Sequence, residues 1–466
     1  MKAILLIDFG STYTKVTAVD VDSETILGTA QSYTTVQSDI LNGLNNALAL
    51  LRETIGPVEF SGQYACSSAA GGLRMVAIGL VPELTANAAR QASLGAGAKV
   101  IKTYSYGLTE GDLAEIDRIA PDICLLTGGT DGGNSENIIA NAAVLARAKG
   151  DFPIIIAGNR NAADECRRLL ANKQTYVCEN VMPRLEIPNV APVQARIRSI
   201  FLEQIVRAKG LSHAEALIHG ILMPTPAAML SAMELLAKGT RTEAGIGDLL
   251  GVDLGGATTD VYSMSLGLPA TGATALRGLR EQYAKRTVEG DIGMRYSIHG
   301  IVDAAGPERV EELSGLSEDE CRERVEFLAA HTDVLPTDAD PDAEKLDFAL
   351  ASLAIETAVA RHAGTLEAVY TPMGISYMQT GKDLTPVETV VVTGGALIHT
   401  RRTADIAAHA LFSPADPMSL RPKQAQILVD RKYILAAMGL LSTIYPDTAL
   451  RIMKRELIKD GTRNQK

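Results

Sequence analysis

Apolar residues fill Ile4, Leu5, Leu6 and Ile7, stop at Asp8, and return at Val16, Ala18, Val19 and Val21 after a short polar turn. The same rhythm recurs in the second half of the chain. Leu249, Leu250 and Val252 lead to Asp253, then Gly255-Gly256-Ala257-Thr258, then a second run through Val261 and Tyr262. Each stretch predicts a buried strand ending in a carboxylate, a small-residue turn and a departing strand. Setting Asp8 on Asp253 puts Gly10 on Gly255, Ser11 on Gly256, Thr14 on Thr259 and Val16 on Val261. The offset is 253 − 8 = 245 residues, about half the chain. Two such units in opposite halves predict two related lobes facing one ligand.

Elsewhere the periodicity is mostly helical. A helix is expected over 39–53, with Ile40, Leu41, Leu44, Ala47, Leu48 and Leu51 as its apolar stripe. Between about 60 and 182 short strands (99–104, 123–127, 153–157, 175–177) alternate with helices (83–94, 109–119, 135–147, 162–171). Such βα repetition predicts a parallel sheet covered by helices. Its glycine turns at 127–133 and 157–160 mark either a ligand-binding end or plain chain reversal. A proline-rich connector (179–193) leads to a helix over 195–209 and a second one opening at Pro226, with Thr225 as its cap. Ala227, Ala228, Ser231 and Ala232 give that helix a face of small residues, and 238–247 is a polar link. Residues 288–295 form a loop-to-helix junction. Helices are expected over 308–330 and 342–363, flanking acidic 333–347, which reads as solvated surface. A buried strand over 390–393 runs through Gly394-Gly395-Ala396, and a helix over 430–441 carries Ala436, Ala437 and Gly439.

Composition narrows the function classes. At 466 residues two or more domains are expected. A net charge of −11 argues against nucleic acid or an anionic membrane as a partner. The five cysteines include no C-x-x-C pair, which argues against structural zinc or an iron–sulfur cluster. No apolar run approaches the ~18 residues that span a bilayer, so a cytoplasmic location is expected.

The repeated turn suits one chemistry. Gly10, Ser11, Thr12 and Tyr13, with Gly255, Gly256, Ala257 and Thr258, would offer backbone N–H groups to phosphates. Lys15 would neutralise phosphate charge. Asp8 and Asp253 are the candidate catalytic and metal-holding groups, binding magnesium mainly through water and orienting the attacking water. Gly394, Gly395 and Ala396 would let backbone approach a nucleoside. The cofactors expected are ATP and magnesium.

These motifs, in this order, resemble the actin, heat-shock chaperone and sugar-kinase superfamily. Residues 8–15 and 253–260 resemble its two phosphate motifs, 393–397 its adenosine motif, and 224–236 and 433–441 its connecting helices. The resemblance implies an α/β fold of two lobes, an actin-like ATPase built from duplicated ribonuclease H-like domains. The first lobe is 1–60 plus 183–238, with a large α/β insertion at 61–182. The second is 248–466, mainly helical over about 300–385. Within the superfamily, Val181-Met182-Pro183-Arg184 and residues 289–295 are similar to the accessory-protein family of adenosylcobalamin-dependent glutamate (methylaspartate) mutase. That implies an ATP-using reactivating chaperone whose partners are the mutase subunits. The insertion loosely resembles a cobalamin-binding α/β domain without its Asp-x-His-x-x-Gly, and so is expected to dock where the mutase's small subunit docks. Chaperone members carry an acid before the connecting-helix proline where this chain has Met223, so slow hydrolysis is expected. The alternatives are a small-molecule kinase or hydantoinase-like ATP-dependent enzyme of the same fold, and an actin-like assembly protein. An activator of radical dehydratases would need cluster cysteines that this chain does not arrange alone.

Overall fold

The computed structural model describes residues 2–10, 12–34, 40–68, 73–208, 221–272, 274–336, 340–372 and 374–459. The chain divides into two compact units. One comprises Met1–Ala232, Gly278–Glu281 and Ala436–Ala449; the other comprises Met233–Arg277, Gln282–Leu435 and Leu450–Lys466.

In the first unit β1 (Ala3–Phe9), β2 (Tyr13–Asp20) and β3 (Thr25–Tyr33) form an antiparallel meander. The helix Ile40–Ile55 follows; residue 39, its expected start, lies outside the described residues. β4 (Gly62–Ser67) then pairs parallel with β1. All seven residues of β1 are buried, as a central strand covered on both faces requires.

Five more strands form the predicted parallel sheet: β5 (Arg74–Gly79), β6 (Lys99–Ser105), β7 (Ile123–Leu126), β8 (Ile154–Ile156) and β9 (Thr175–Val177). Their order is β6-β5-β7-β8-β9. Side chains alternate between two cores. Met75, Ala77, Leu125 and Ile155 join Leu5, Ile7, Phe9 and Val16 of the first sheet in one core. Val76, Ile78, Cys124, Leu126 and Ile154 join Ile116, Ile138 and Leu145 in another. The inserted sheet therefore shares a core with the sheet that carries Asp8. The helix expected over 83–94 opens with one π-helical turn, Pro82–Ala86, before Asn87–Gly95. After the helix Ala191–Ala208 the chain returns as β10 (Ile221–Pro224), completing the first sheet in the order β10-β4-β1-β2-β3.

The second unit repeats the plan. β11 (Leu249–Leu254) and β12 (Thr259–Met264) form a hairpin, β13 (Thr274–Arg277) lies elsewhere, and β14 (Ala284–Glu289) pairs antiparallel with β12. The helices Ile298–Ala305, Pro307–Ser314, Glu318–Ala330 and Pro341–His362 come next. The single helix expected over 308–330 is two helices. Gly315 ends the first in a left-handed conformation (φ 68°), and Ser317 with Glu320 forms a capping box for the second. β15 (Thr365–Thr371) and β16 (Gly374–Thr380) make a small sheet with β13. β17 (Thr389–Thr393) and β18 (Gln426–Val429) extend the main sheet in parallel, and β19 (Ile458–Lys459) closes its edge. The order is β14-β12-β11-β17-β18-β19.

The main sheets of both units thus set their first three strands antiparallel and add two parallel strands beside the first. This is the duplicated ribonuclease H-like arrangement of the actin-like fold. Among the described residues no helix is long and apolar enough to cross a membrane.

Candidate functional site

The two Asp-x-Gly hairpins have the same hydrogen-bond pattern. Asp8 lies opposite Lys15 and Phe9 opposite Thr14; Asp253 lies opposite Asp260 and Leu254 opposite Thr259. Gly10 N donates to Tyr13 O at 3.1 Å, and Gly255 N donates to Thr258 O at 3.0 Å. A Cβ at Gly10 would sit 2.5 Å from Tyr13 O, and one at Gly255 2.8 Å from Thr258 O. Both turns therefore close only on glycine at that position. The 245-residue offset is a structural equivalence as well as a textual one.

The second turn has a preset polarity. Met294 N donates to Gly255 O, Arg295 N and Tyr296 N to Gly256 O, and the Ser297 hydroxyl to Ala257 O. In a planar trans peptide the carbonyl and the next N–H point opposite ways. With three successive carbonyls turned into residues 294–297, the N–H groups of Gly256, Ala257 and Thr258 face away from that loop. Three N–H groups on one side make an anion cradle. The loop-to-helix junction over 288–295 is thus the brace of the turn. Its own anchor is Arg295, buried, which donates to both Asp347 oxygens (3.2 and 3.1 Å), to Met294 O and to Val334 O. Asp347 is consequently an inward-facing partner, which corrects the expectation of solvated surface at that end of 333–347. Residues 337–339 lie outside the described residues.

Around Asp8 the neighbours are close. Thr225 Oγ1 donates to its Oδ1 at 2.6 Å and Cys66 Sγ donates to the same oxygen at 3.5 Å, with Lys15 Nζ 3.9 Å from Oδ2. Burial pushes the Cys66 thiol well above its ordinary range, and the Asp8 charge adds to this, so it stays a protonated donor. Thr225, expected as a helix cap, is the first residue of the helix Thr225–Lys238 and spends its hydroxyl on Asp8. Register places Cys66 beside Asp8 and Met223 beside Cys66, so the row leading to Asp8 holds a thiol and a thioether. Thr12, Tyr13 and Lys15 lie where expected on the first hairpin; Ser11 lies outside the described residues.

The third motif lies against the second. Asp253 is in register with Thr393, and Gly394 (φ 109°) packs so closely on Leu254 that a Cβ there would lie 2.2 Å from its carbonyl oxygen. Gly395 and Ala396 begin a four-residue helical turn, Gly395–Ile398.

Several members of the site escaped the sequence. Thr225 and Cys66 reach Asp8 only through strand pairing. Asp260, directly across from Asp253, is neutralised by buried Arg286 at 2.6 Å. The carboxylates at both strand ends are hard oxygen donors that suit magnesium, and the bare glycine turns leave backbone room for phosphate. Among the described residues no group of three or more His, Cys, Asp or Glu could hold a metal without other ligands. This donor set fits an ion held largely through water and phosphate oxygens.

The family model described as "MutL protein" matches residues 4–457. Protein MutL of Clostridium tetanomorphum is 48% identical over 463 residues, covering 98% of this chain and 100% of that one. Among solved structures, the activator of the 2-hydroxyisocaproyl-CoA dehydratase from Clostridium difficile aligns with a TM-score of 0.33 at 10% identity, covering 99% of this chain and 100% of that one. A xylulose kinase from Lactobacillus acidophilus aligns with a TM-score of 0.37 at 11% identity, covering 99% and 93%. These two structural likenesses are too slight to carry an argument about this chain.

Proposed function

The chain belongs to the family of MutL proteins, and from that premise we propose that it is an ATP-binding, slowly hydrolysing accessory protein that reactivates an adenosylcobalamin-dependent mutase, glutamate mutase first among them. The observation that carries the ATP reading is the duplicated hairpin, the same N–H-to-carbonyl closure at Gly10–Tyr13 and Gly255–Thr258 beside an aspartate in each unit. In this reading each turn binds nucleotide phosphate. The N–H groups of Gly256, Ala257 and Thr258 and those of the first turn hold the phosphates, and Lys15 offsets their charge. Gly394–Ala396 take the nucleoside. Asp8 and Asp253 would hold magnesium through water, and the ion supplies neutralisation of phosphate charge. Thr225 and Cys66 keep the Asp8 carboxylate in one orientation. Among the described residues in the row beside Asp8, Met223 and Cys66 supply no second base, which favours a slow switch over rapid turnover.

The test is to mix the protein with cobalamin-inactivated glutamate mutase, fresh coenzyme, ATP and magnesium. Recovery that needs ATP supports the reading, and recovery equal without ATP, or none at all, overturns it. Each aspartate contributes a charge-assisted contact of roughly 1.5–3 kcal/mol. Asp253→Asn is therefore expected to weaken ATP–magnesium binding by about 10- to 150-fold, read by titration calorimetry, and to abolish recovery.

The inserted sheet is proposed to receive the mutase. Excising 62–180 is the wrong test, because it removes β4 and opens the core shared with Asp8's sheet. Hydrogen exchange with and without the mutase small subunit is the better one. Protection is expected within 73–180; protection confined to the second unit would sink this assignment.

A further inference from the structure

Tyr433 carries a backbone conformation that an aromatic residue seldom accepts. Its φ is 55°, in the left-handed region, where a bulky side chain is strained. Glycine or asparagine would relieve that strain. Strain of this kind persists where surrounding bonds over-determine it, and here they are visible. Asp430 is buried, and its N–H donates to Val392 O at 3.0 Å. Its carboxylate accepts from Ile434 N at 2.9 Å, Leu435 N at 3.1 Å and Thr393 Oγ1 at 3.4 Å. Tyr433 N in turn donates to Asp430 O at 3.1 Å. The turn 430–433 is thus tied to the end of β17, whose Thr393 is in register with Asp253. What the strained residue delivers is its phenol, whose hydroxyl donates to Asp253 Oδ1 at 3.4 Å.

We infer that Tyr433 is a positioning residue for Asp253, fixing the rotation of that carboxylate before a divalent cation and phosphates arrive. This deepens the nucleotide reading above and rests on it. A carboxylate whose rotation is already fixed by a hydrogen bond loses less freedom when it takes up a hydrated ion. Asp8 receives the equivalent support from Thr225 in the other unit, at a shorter 2.6 Å. Each turn aspartate is thereby oriented by a hydroxyl from outside its own hairpin.

The test uses the full-length protein and binding, with no turnover. Magnesium is titrated calorimetrically at fixed non-hydrolysable ATP analogue into the parent protein and Tyr433→Phe, which loses only the hydroxyl. Loss of an outer-shell partner commonly weakens metal binding by 10- to 100-fold, and for a bond of this length about tenfold is expected. Analogue affinity measured in EDTA should change less than twofold, a split that a general loosening of the fold would not give. Tyr433→Gly, which relieves the backbone strain as well as removing the phenol, should show the same magnesium defect with a thermal midpoint no lower than the parent's. A magnesium requirement within twofold of the parent in both variants overturns the role of Tyr433 and leaves the nucleotide site standing. Absence of analogue binding to the parent protein overturns the nucleotide reading and this inference together.

Discussion

Arg295→Ala is expected to lower stability by about 3–5 kcal/mol, measured by urea unfolding at neutral pH, and to loosen the turn Gly255–Thr258, the proposed phosphate cradle. The guanidinium is buried and bonds Asp347 through both oxygens as well as the carbonyls of Met294 and Val334. Its removal strands a desolvated carboxylate and frees the loop whose amides hold the carbonyls of Gly255 and Gly256. The pair is weak evidence for stability as such, since Arg295→Met with Asp347→Leu should restore most of the loss. The pH dependence follows from the sign of the Asp347 shift. Burial raises its carboxyl above the ordinary value, and Arg295 opposes this. Without Arg295 the folded-state value rises further above the unfolded one. The folded state then binds more protons, so stability falls as pH rises through the interval between the two values. The Arg295→Ala deficit should therefore shrink as pH falls toward about 4, the ordinary aspartate value. A deficit that stays flat from neutral to that pH would show that Asp347 is not the stranded group.

Gly439→Ala should cost about 3 kcal/mol, although glycine to alanine inside a helix ordinarily gains about 1 kcal/mol. The reversal comes from Ala228. A Cβ on Gly439 would stand 1.9 Å from Ala228 O and 2.5 Å from its carbonyl carbon. Both are backbone atoms in the helix Thr225–Lys238, so neither can swing aside. Gly439 lies in the helix Leu435–Ser442, and the two helices would have to part along the small face made by Ala227 and Ala228. Thermal unfolding reads the outcome, and a midpoint at or above the parent's would refute the close approach. Because Thr225 begins the first of these helices and bonds Asp8, the variant should also weaken ATP binding.

Much of this was legible in the chain, and for a physical reason. A strand that ends in Asp-x-Gly announces its hairpin locally, because the turn needs glycine and the carboxylate needs a strand end. Repetition at one offset then supplied the correspondence between the two hairpins. The βα rhythm of the insertion was equally local. One interior strand, β5 between β6 and β7, was missed because Arg74–Gly79 follows a run of small residues and has no helix-length spacer before it. The break at Gly315 was missed because apolar positions keep their helical spacing across it. Contacts made through pairing and packing left no local trace: Thr225 and Cys66 on Asp8, Arg286 on Asp260, Arg295 on Asp347, Tyr433 on Asp253. Each is an ordinary residue in sequence, given its partner by a strand register or a turn many residues away.

The hairpins differ in where their positive charge comes from. In the first, Lys15 sits on the hairpin itself, opposite Asp8. In the second, the opposing residue is Asp260, and Arg286 reaches it from the neighbouring strand β14. The halves are therefore no longer interchangeable parts. Grafting the first hairpin onto the second sheet would set an ammonium against a buried guanidinium, and the reverse graft would face two carboxylates with no cation. Each hairpin balances its charge within its own sheet, so moving a hairpin alone breaks a balance that moving the whole sheet would keep.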